Sequence, residues 1–250
     1  GTELGQFLMR ERPPGLRSVV LDAVVPLGFS LITGVPAVRQ QAMLRYAQAC
    51  EASPSCNAAY PDLATRYQAL LERMDREPVA VNVAPAAPKA ASPRGKEPRP
   101  DMRPETATIS GRDFDAALYQ SIYQRQAVPF FPYIVQRAEQ GDFSFMLNIV
   151  GTMRASGDDM ADAMYMTVVC AEFGDTPDAA LQFPGVNKRL AEAGQNDARQ
   201  ILALCRDWKI RLLDRALLEP VRSDIPTLLL SGAFDPITPP AHAERVAATL

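Results

Sequence analysis

Two short apolar segments with the composition of buried β-strands stand far apart in this sequence. Arg17–Asp22 reads RSVVLD, and Ile225–Ser231 reads IPTLLLS. Runs of this kind, bounded by turn residues, are typical of strands that are covered on both faces. Helical patterns fill most of the distance between them. We therefore predict an α/β fold in which a parallel sheet is interrupted by a helical insertion.

The predicted helices carry apolar residues at helical spacing, which normally face a core. The two clearest stripes are Leu63, Tyr67, Leu70 and Met74, and Phe114, Leu118 and Ile122. Ser110 precedes the second stripe as a candidate N-cap, with Asp113 three residues on, the spacing of a capping box. The sequence therefore predicts helices packed through one face.

One stretch interrupts the helical pattern. Pro78–Pro104 contains seven prolines, which exclude a continuous helix or a buried strand. Val79–Val83 and Thr106–Ile109 flank its centre and both alternate in polarity. We predict a hairpin of two edge strands with a long Pro-rich tip at Pro85–Arg103; a flexible interdomain linker is the alternative.

The overall composition limits the classes of partner. The chain has 250 residues, 47% of them hydrophobic, and a net charge of −3. A nucleic-acid surface needs clustered Lys and Arg, so no nucleic-acid partner is expected. No apolar run reaches the roughly 20 residues of a membrane span. We therefore expect no membrane span in this segment, and neither a metal site nor a cofactor.

The sequence contains four cysteines, which could form disulfides or remain free thiols. They are Cys50, Cys56, Cys170 and Cys205. Four cysteines allow three pairings. Cys50–Cys56 with Cys170–Cys205 is the simplest, since a short turn can close the first pair; four buried free thiols are the alternative. Disulfides would indicate an oxidising compartment.

The sharpest chemical signal is an aspartate after the second apolar strand. Asp235 lies just past the carboxyl end of that strand, where active sites of open α/β sheets form. Pro236, Pro239 and Pro240 stiffen its loop, which suits a triad acid that must hold a histidine in one orientation. An aspartate that only caps its own turn fits the same pattern. The residues alone leave both interpretations open.

At this loop the sequence resembles a known family. Gly232–Pro240, which reads GAFDPITPP, is similar to the acid loop of α/β-hydrolases, in particular the tripeptidyl-aminopeptidase-like serine peptidases related to prolyl aminopeptidases. Further segments resemble the stretch after the nucleophile helix and the lid of that family. These segments are Pro13–Asp22, Cys50–Leu63, Val169–Glu172 and Cys205–Trp208.

The resemblance implies a division of the chain and roles for several residues. Residues 1–23 and 223–250 would be parts of the α/β-hydrolase core, and 24–222 a helical lid with the Pro-rich hairpin tip at 85–103. Asp235 would be the triad acid. The cysteines would pair as Cys50–Cys56 and Cys170–Cys205, which implies a secreted, periplasmic or cell-envelope protein.

The same resemblance exposes what the chain lacks. The fold carries its nucleophile in a Gly-x-Ser-x-Gly elbow, and the sequence contains no such motif. Gly1-Thr2 resembles the tail of the family's Gly-x-Ser-Tyr-Gly-Thr elbow, so we expect the serine and one oxyanion donor upstream. The catalytic histidine is expected after Leu250, because it follows the acid in chain order. We therefore expect a fragment that is inactive alone.

Other polar residues are weaker candidates. His242, the only histidine, is expected to be a partly exposed helix residue rather than the base, and Ser231 a structural residue. Asp22 ends the first strand and is expected to anchor a turn, although some α/β-hydrolases take their acid there. Glu172 is a candidate for binding the amino terminus of a substrate, as lid carboxylates do in related aminopeptidases; a helix-end or surface glutamate is the alternative.

The sequence-based hypothesis is thus that the chain is part of a serine exopeptidase. It would release short peptides or single residues from a peptide substrate with a free amino terminus. An esterase or another small-molecule α/β-hydrolase is the alternative within the same fold, and a non-catalytic helical binding module is the alternative outside it.

Overall fold

The structure, a computed structural model, describes residues 1–83, 105–123, 126–147 and 161–250. The helices with assigned bounds are α1 (Thr2–Glu11), α2 (Val35–Glu51), α3 (Pro54–Ala59), α4 (Leu63–Arg76), α5 (Gly111–Ser121), α6 (Phe131–Glu139), α7 (Asp162–Phe173), α8 (Lys188–Trp208) and α9 (Pro240–Ala247). The strands are β1 (Val19–Asp22), β2 (Val79–Val83), β3 (Glu105–Ile109) and β4 (Thr227–Leu230).

The chain divides into two compact units. The first comprises Gly1–Arg45 and Ala161–Leu250, and the second Tyr46–Met160. Two segments distant in sequence thus build the first unit, while the second is one continuous stretch. The lid boundaries inferred from the sequence stay a prediction.

The first unit contains a two-stranded parallel sheet. β1 pairs with β4 from Val19 opposite Thr227 to Asp22 opposite Leu230. This confirms the predicted parallel pairing, although each strand begins two residues later than its apolar motif. The pairing places the loops that follow the two strands at the same edge of the sheet.

The two faces of this sheet differ in exposure. Leu21 packs in one cluster with Met9 of α1 and Val246 of α9. On the other face, Val20 is 62% exposed and Leu228 is 54% exposed. The expectation of fully buried strands is therefore wrong for these residues. A parallel strand is buried only when chain lies on both of its faces, and the described residues cover one.

Helix α1 lies unusually close to β1. Gly5 makes this possible, because a Cβ atom there would stand 2.6 Å from Cδ2 of Leu21. The buried Gln6 side chain then joins α1 to the loop after β1, donating to the Val25 carbonyl at 2.7 Å and accepting from the Leu27 amide at 3.4 Å. Helix and loop are thus fixed to one another by side-chain hydrogen bonds.

Helices α7 and α8 form the other part of the first unit. The disulfide Cys170–Cys205 joins them, with Cα atoms 5.1 Å apart. Trp208 Nε1 also donates to Thr167 Oγ1 at 3.0 Å. The core beneath this pair is a cluster of buried apolar residues. Its members are Ile32, Val169, Phe173, Leu181, Ala198, Leu202 and Leu218.

The second unit follows the sequence pattern closely. All seven residues of the two apolar stripes are buried. Ser110 and Asp113 form the predicted capping box at the start of α5. Cys50 and Cys56 form the second disulfide. Both pairings are those that the family resemblance implied.

The hairpin strands of this unit are also confirmed. β2 and β3 pair antiparallel, from Val79 opposite Ile109 to Val83 opposite Glu105. The predicted Pro-rich tip, Pro85–Arg103, lies outside the described residues. No helix in the described part of the chain combines the length and apolar character needed to cross a bilayer.

The two disulfides should differ in how much they stabilise the protein. Cys170–Cys205 spans 35 residues and Cys50–Cys56 spans 6. Because the longer loop restricts the unfolded chain more, its loss should cost about 4 kcal/mol, against about 2 kcal/mol for the shorter. Thermal and denaturant unfolding of the two paired Cys→Ser variants measures this. An equal or reversed order would contradict the assignment.

Candidate functional site

The loop after β4 holds the Asp235 carboxylate through its own donors. Oδ1 of Asp235 accepts from the Ile237 and Thr238 backbone amides, both at 2.8 Å. Oδ2 accepts from the Thr238 hydroxyl at 2.7 Å. The Asp235 amide in turn donates to the Gly232 carbonyl at 3.1 Å. The carboxylate is therefore held on both oxygens by residues within three positions of it.

The rest of the molecule fixes this loop at several points. The Ser231 hydroxyl donates to the Thr238 carbonyl at 3.4 Å, and Arg45 Nη1 of α2 donates to the Ala233 carbonyl at 3.0 Å. Pro240 begins α9 directly after the loop, in the first turn where proline is tolerated. The half-buried Asp235 thus sits in a loop tied to α2, β4 and α9.

This arrangement is chemically suited to orienting a hydrogen-bond donor. A carboxylate held rigidly at the carboxyl edge of a parallel sheet can fix the ring of an approaching histidine and stabilise its cation. An aspartate that only caps its own turn would accept the same hydrogen bonds. The geometry fits both interpretations of Asp235, and the triad role stays a prediction.

His242 is buried, with 8% of its surface exposed, so the expectation of a partly exposed residue is wrong. Its ring packs against Phe29, with centroids 4.5 Å apart, and its Nδ1 is buried without a hydrogen-bond partner in the structure. Burial, and next the charge of Arg245, lower the pKa of His242, while Asp235 opposes the shift. The burial arises because the face of α9 that carries His242 packs against Phe29 in the loop after β1. The sequence around His242 gives no sign of this contact, since Phe29 lies far away in the chain.

Glu172 is also buried, with 8% of its surface exposed. It lies near the end of α7, and its Oε2 is buried without a hydrogen-bond partner in the structure. Burial, and secondly repulsion from Glu3, raise the pKa of Glu172 to about 7. The alternative of a surface glutamate is therefore wrong, whereas that of a helix-end glutamate agrees with its place near the end of α7. A buried carboxylate that lacks a donor can accept one from a cationic ligand.

The candidate residues do not form one hydrogen-bonded cluster. Among the described residues, the hydrogen bonds of Asp235 come from its own loop, and none joins it to Glu172 or His242. Asp22 is exposed at the end of β1. In the described ranges no group of three or more His, Cys, Asp or Glu residues could hold a metal ion.

Three residues that contact or influence the candidate site were not predicted from the sequence. Thr238 stood in the recognised loop, but only the structure shows its hydroxyl on Asp235. Arg45 and Glu3 lie far along the chain from their partners, so no local pattern connects Arg45 to Ala233 or Glu3 to Glu172. Such pairs are revealed by positions that co-vary among related sequences, not by a local motif.

Comparison with known proteins matches the last part of the chain. Residues 191–250 match a protein-family model described as "TAP-like protein", an α/β-hydrolase family. The matched segment contains β4, the Asp235 loop and α9. The match supports the α/β-hydrolase superfamily and a hydrolase. No curated protein sequence matches the chain.

The raised pKa of Glu172 should make folding stability depend on pH. Because the folded pKa is about 7 against 4.5 for the ordinary group, the folded state binds a proton that the unfolded state releases. Stability should therefore fall as pH rises from about 4.5 through about 7, by up to about 3 kcal/mol. Denaturant unfolding at several pH values measures this.

Glu172→Gln removes the titrating group and should flatten that part of the profile. Glu192→Gln is the matched control, because Glu192 is exposed on the surface of α8, with Oε1 3.8 Å from Lys188 Nζ. A Glu172→Gln profile parallel to that of the unchanged protein would contradict the assignment.

Proposed function

We propose that the chain is part of a serine hydrolase of the α/β-hydrolase type, with Asp235 as the acid of its catalytic triad. Its favoured activity is that of an exopeptidase, releasing short peptides or single residues from the amino termini of peptides. Residues 24–222 would form the helical lid, and 1–23 and 223–250 parts of the core. A secreted, periplasmic or cell-envelope location accompanies this proposal, supported by the two disulfides.

The observation that carries the proposal is the setting of Asp235. The carboxylate follows β4 at the carboxyl edge of a parallel pair and is held by three donors from its own loop. The family match covers this same segment. A triad acid acts by orientation and charge, so a preset carboxylate at this edge is what the role requires.

The nucleophile and the base would be supplied from outside these 250 residues. The sequence has no Gly-x-Ser-x-Gly elbow, and its one histidine, His242, is buried in α9 against Phe29. In the full-length enzyme the serine would attack the scissile carbonyl while a histidine oriented by Asp235 takes its proton. The 250-residue chain alone should be inactive.

Glu172 supports the exopeptidase form of the proposal. A free amino terminus is a cation with several N–H donors, and Glu172 offers a buried oxygen that lacks one. Glu3 adds a second negative charge near it, as its effect on the pKa of Glu172 indicates. A site of this kind would select chain ends over internal peptide segments.

A serine-directed fluorophosphonate probe tests the hydrolase proposal. The full-length protein should be labelled at one serine upstream of Gly1, whereas the 250-residue chain should not be labelled. The unlabelled full-length protein should cleave aminoacyl-arylamides, and labelling should abolish that cleavage, because the probe occupies the nucleophilic serine. Turnover of short-chain aryl esters without arylamide cleavage would favour an esterase, and absence of labelling would favour a non-catalytic binding module.

Replacing Glu172 tests the recognition of the amino terminus. Glu172→Gln should raise KM for an aminoacyl-arylamide roughly 10- to 100-fold, because a hydrogen bond to a charged group contributes about 1.5–3 kcal/mol. KM for the same substrate with an acetylated amino group should change little. The exposed Glu192→Gln variant is the control. An equal effect on both substrates would contradict the role of Glu172.

A further inference from the structure

The two oxygens of the Asp235 carboxylate differ in how many donors they accept. Oδ1 accepts from two backbone amides, and Oδ2 accepts from the Thr238 hydroxyl. A carboxylate offers about four acceptor positions in all. The loop fills three of them, so the position left for a further donor is on Oδ2.

Thr238 is well placed to hold that oxygen. Its side chain is buried, with 5% of the residue exposed. Its carbonyl accepts from the Ser231 hydroxyl, and its amide donates to Oδ1 of Asp235. Pro239 follows and restricts the backbone. The Thr238 hydroxyl therefore belongs to a residue whose backbone amide and carbonyl are both held by hydrogen bonds.

We propose that Thr238 is a positioning residue that presents Oδ2 of Asp235 to the catalytic histidine. This rests on the proposed function, because it requires Asp235 to be the triad acid. The terminal torsion of an aspartate is broad and roughly two-fold, so rotation about it would exchange or displace the two oxygens. A donor on each oxygen, amides on Oδ1 and hydroxyl on Oδ2, fixes that rotation.

The consequence is specific to the chemical step. Thr238 would act through Asp235 and the histidine, so its hydroxyl should affect kcat and leave KM nearly unchanged. Displacement of a catalytic group by about 1 Å can lower a rate roughly 100-fold. An aspartate that only caps its turn would instead make Thr238 matter for stability alone.

Two variants of the full-length enzyme test this inference. Thr238→Val keeps the shape and removes the hydroxyl, and should lower kcat about 10- to 100-fold with KM within about twofold. Thr238→Ser keeps the hydroxyl and should retain kcat within about threefold of the unchanged enzyme. Thr249→Val is the control, because the Thr249 hydroxyl donates to the Val246 carbonyl within α9.

A double-mutant cycle with Asp235→Asn separates positioning from general damage. If Thr238 acts only through the Asp235 carboxylate, Thr238→Val should cause little further loss in the Asp235→Asn background. Thermal unfolding checks that each variant is folded, and Thr238→Ala replaces Thr238→Val if the valine variant is not.

The outcomes distinguish this inference from the function it rests on. If Asp235→Asn lowers kcat, three results would overturn the role of Thr238 and leave the proposed triad intact. These are an unchanged kcat in Thr238→Val, equal losses of kcat in Thr238→Val and Thr238→Ser, and additive losses of kcat in the double-mutant cycle. An active Asp235→Asn enzyme would overturn the proposed triad and this inference together.

Discussion

The parallel pairing of β1 with β4 is the contact on which the described site depends. It joins segments from opposite parts of the sequence and aligns Asp22 with Leu230, so that the loops after both strands leave the sheet at one edge. The loop after β1 packs against His242 of α9 and is tied to α1 by Gln6. The loop after β4 carries Asp235. The pairing thus brings both loops to one edge of the sheet, where Gln6 and Arg45 add further contacts to them.

Against this background, the Asp235 loop is organised largely by itself. Its carboxylate accepts hydrogen bonds from Ile237 and Thr238, and Pro236 before and Pro239 after these two donors restrict the backbone. Such a loop can preset an acid before a histidine arrives, which avoids the cost of ordering it during the reaction. Glu172 differs, since its buried Oε2 accepts no hydrogen bond in the structure and burial raises its pKa to about 7.

Local pattern in the sequence was enough to predict many of the elements. The apolar stripes of α4 and α5, the Ser110 capping box and the two strand motifs each depend on neighbours within a few residues, and the structure confirms them. The disulfide pairing needed the family resemblance, because four cysteines allow three pairings.

The features that sequence reasoning missed depend on contacts between distant segments. Burial of His242 requires the loop after β1, and exposure of Val20 depends on what covers the second face of the sheet. The Arg45 contact with Ala233 and the influence of Glu3 on Glu172 likewise join positions that no local period connects. Tertiary packing, not propensity, decides each of them.

The most direct test of the central claim is kcat of the full-length enzyme with Asp235 replaced by asparagine. Asparagine keeps an acceptor for the two backbone amides and can still cap the turn, but it lacks the charge that stabilises a histidine cation. The triad account predicts a folded protein whose kcat falls roughly 10⁴-fold. A folded Asp235→Asn enzyme with unchanged kcat would contradict it and leave Asp235 as a turn cap.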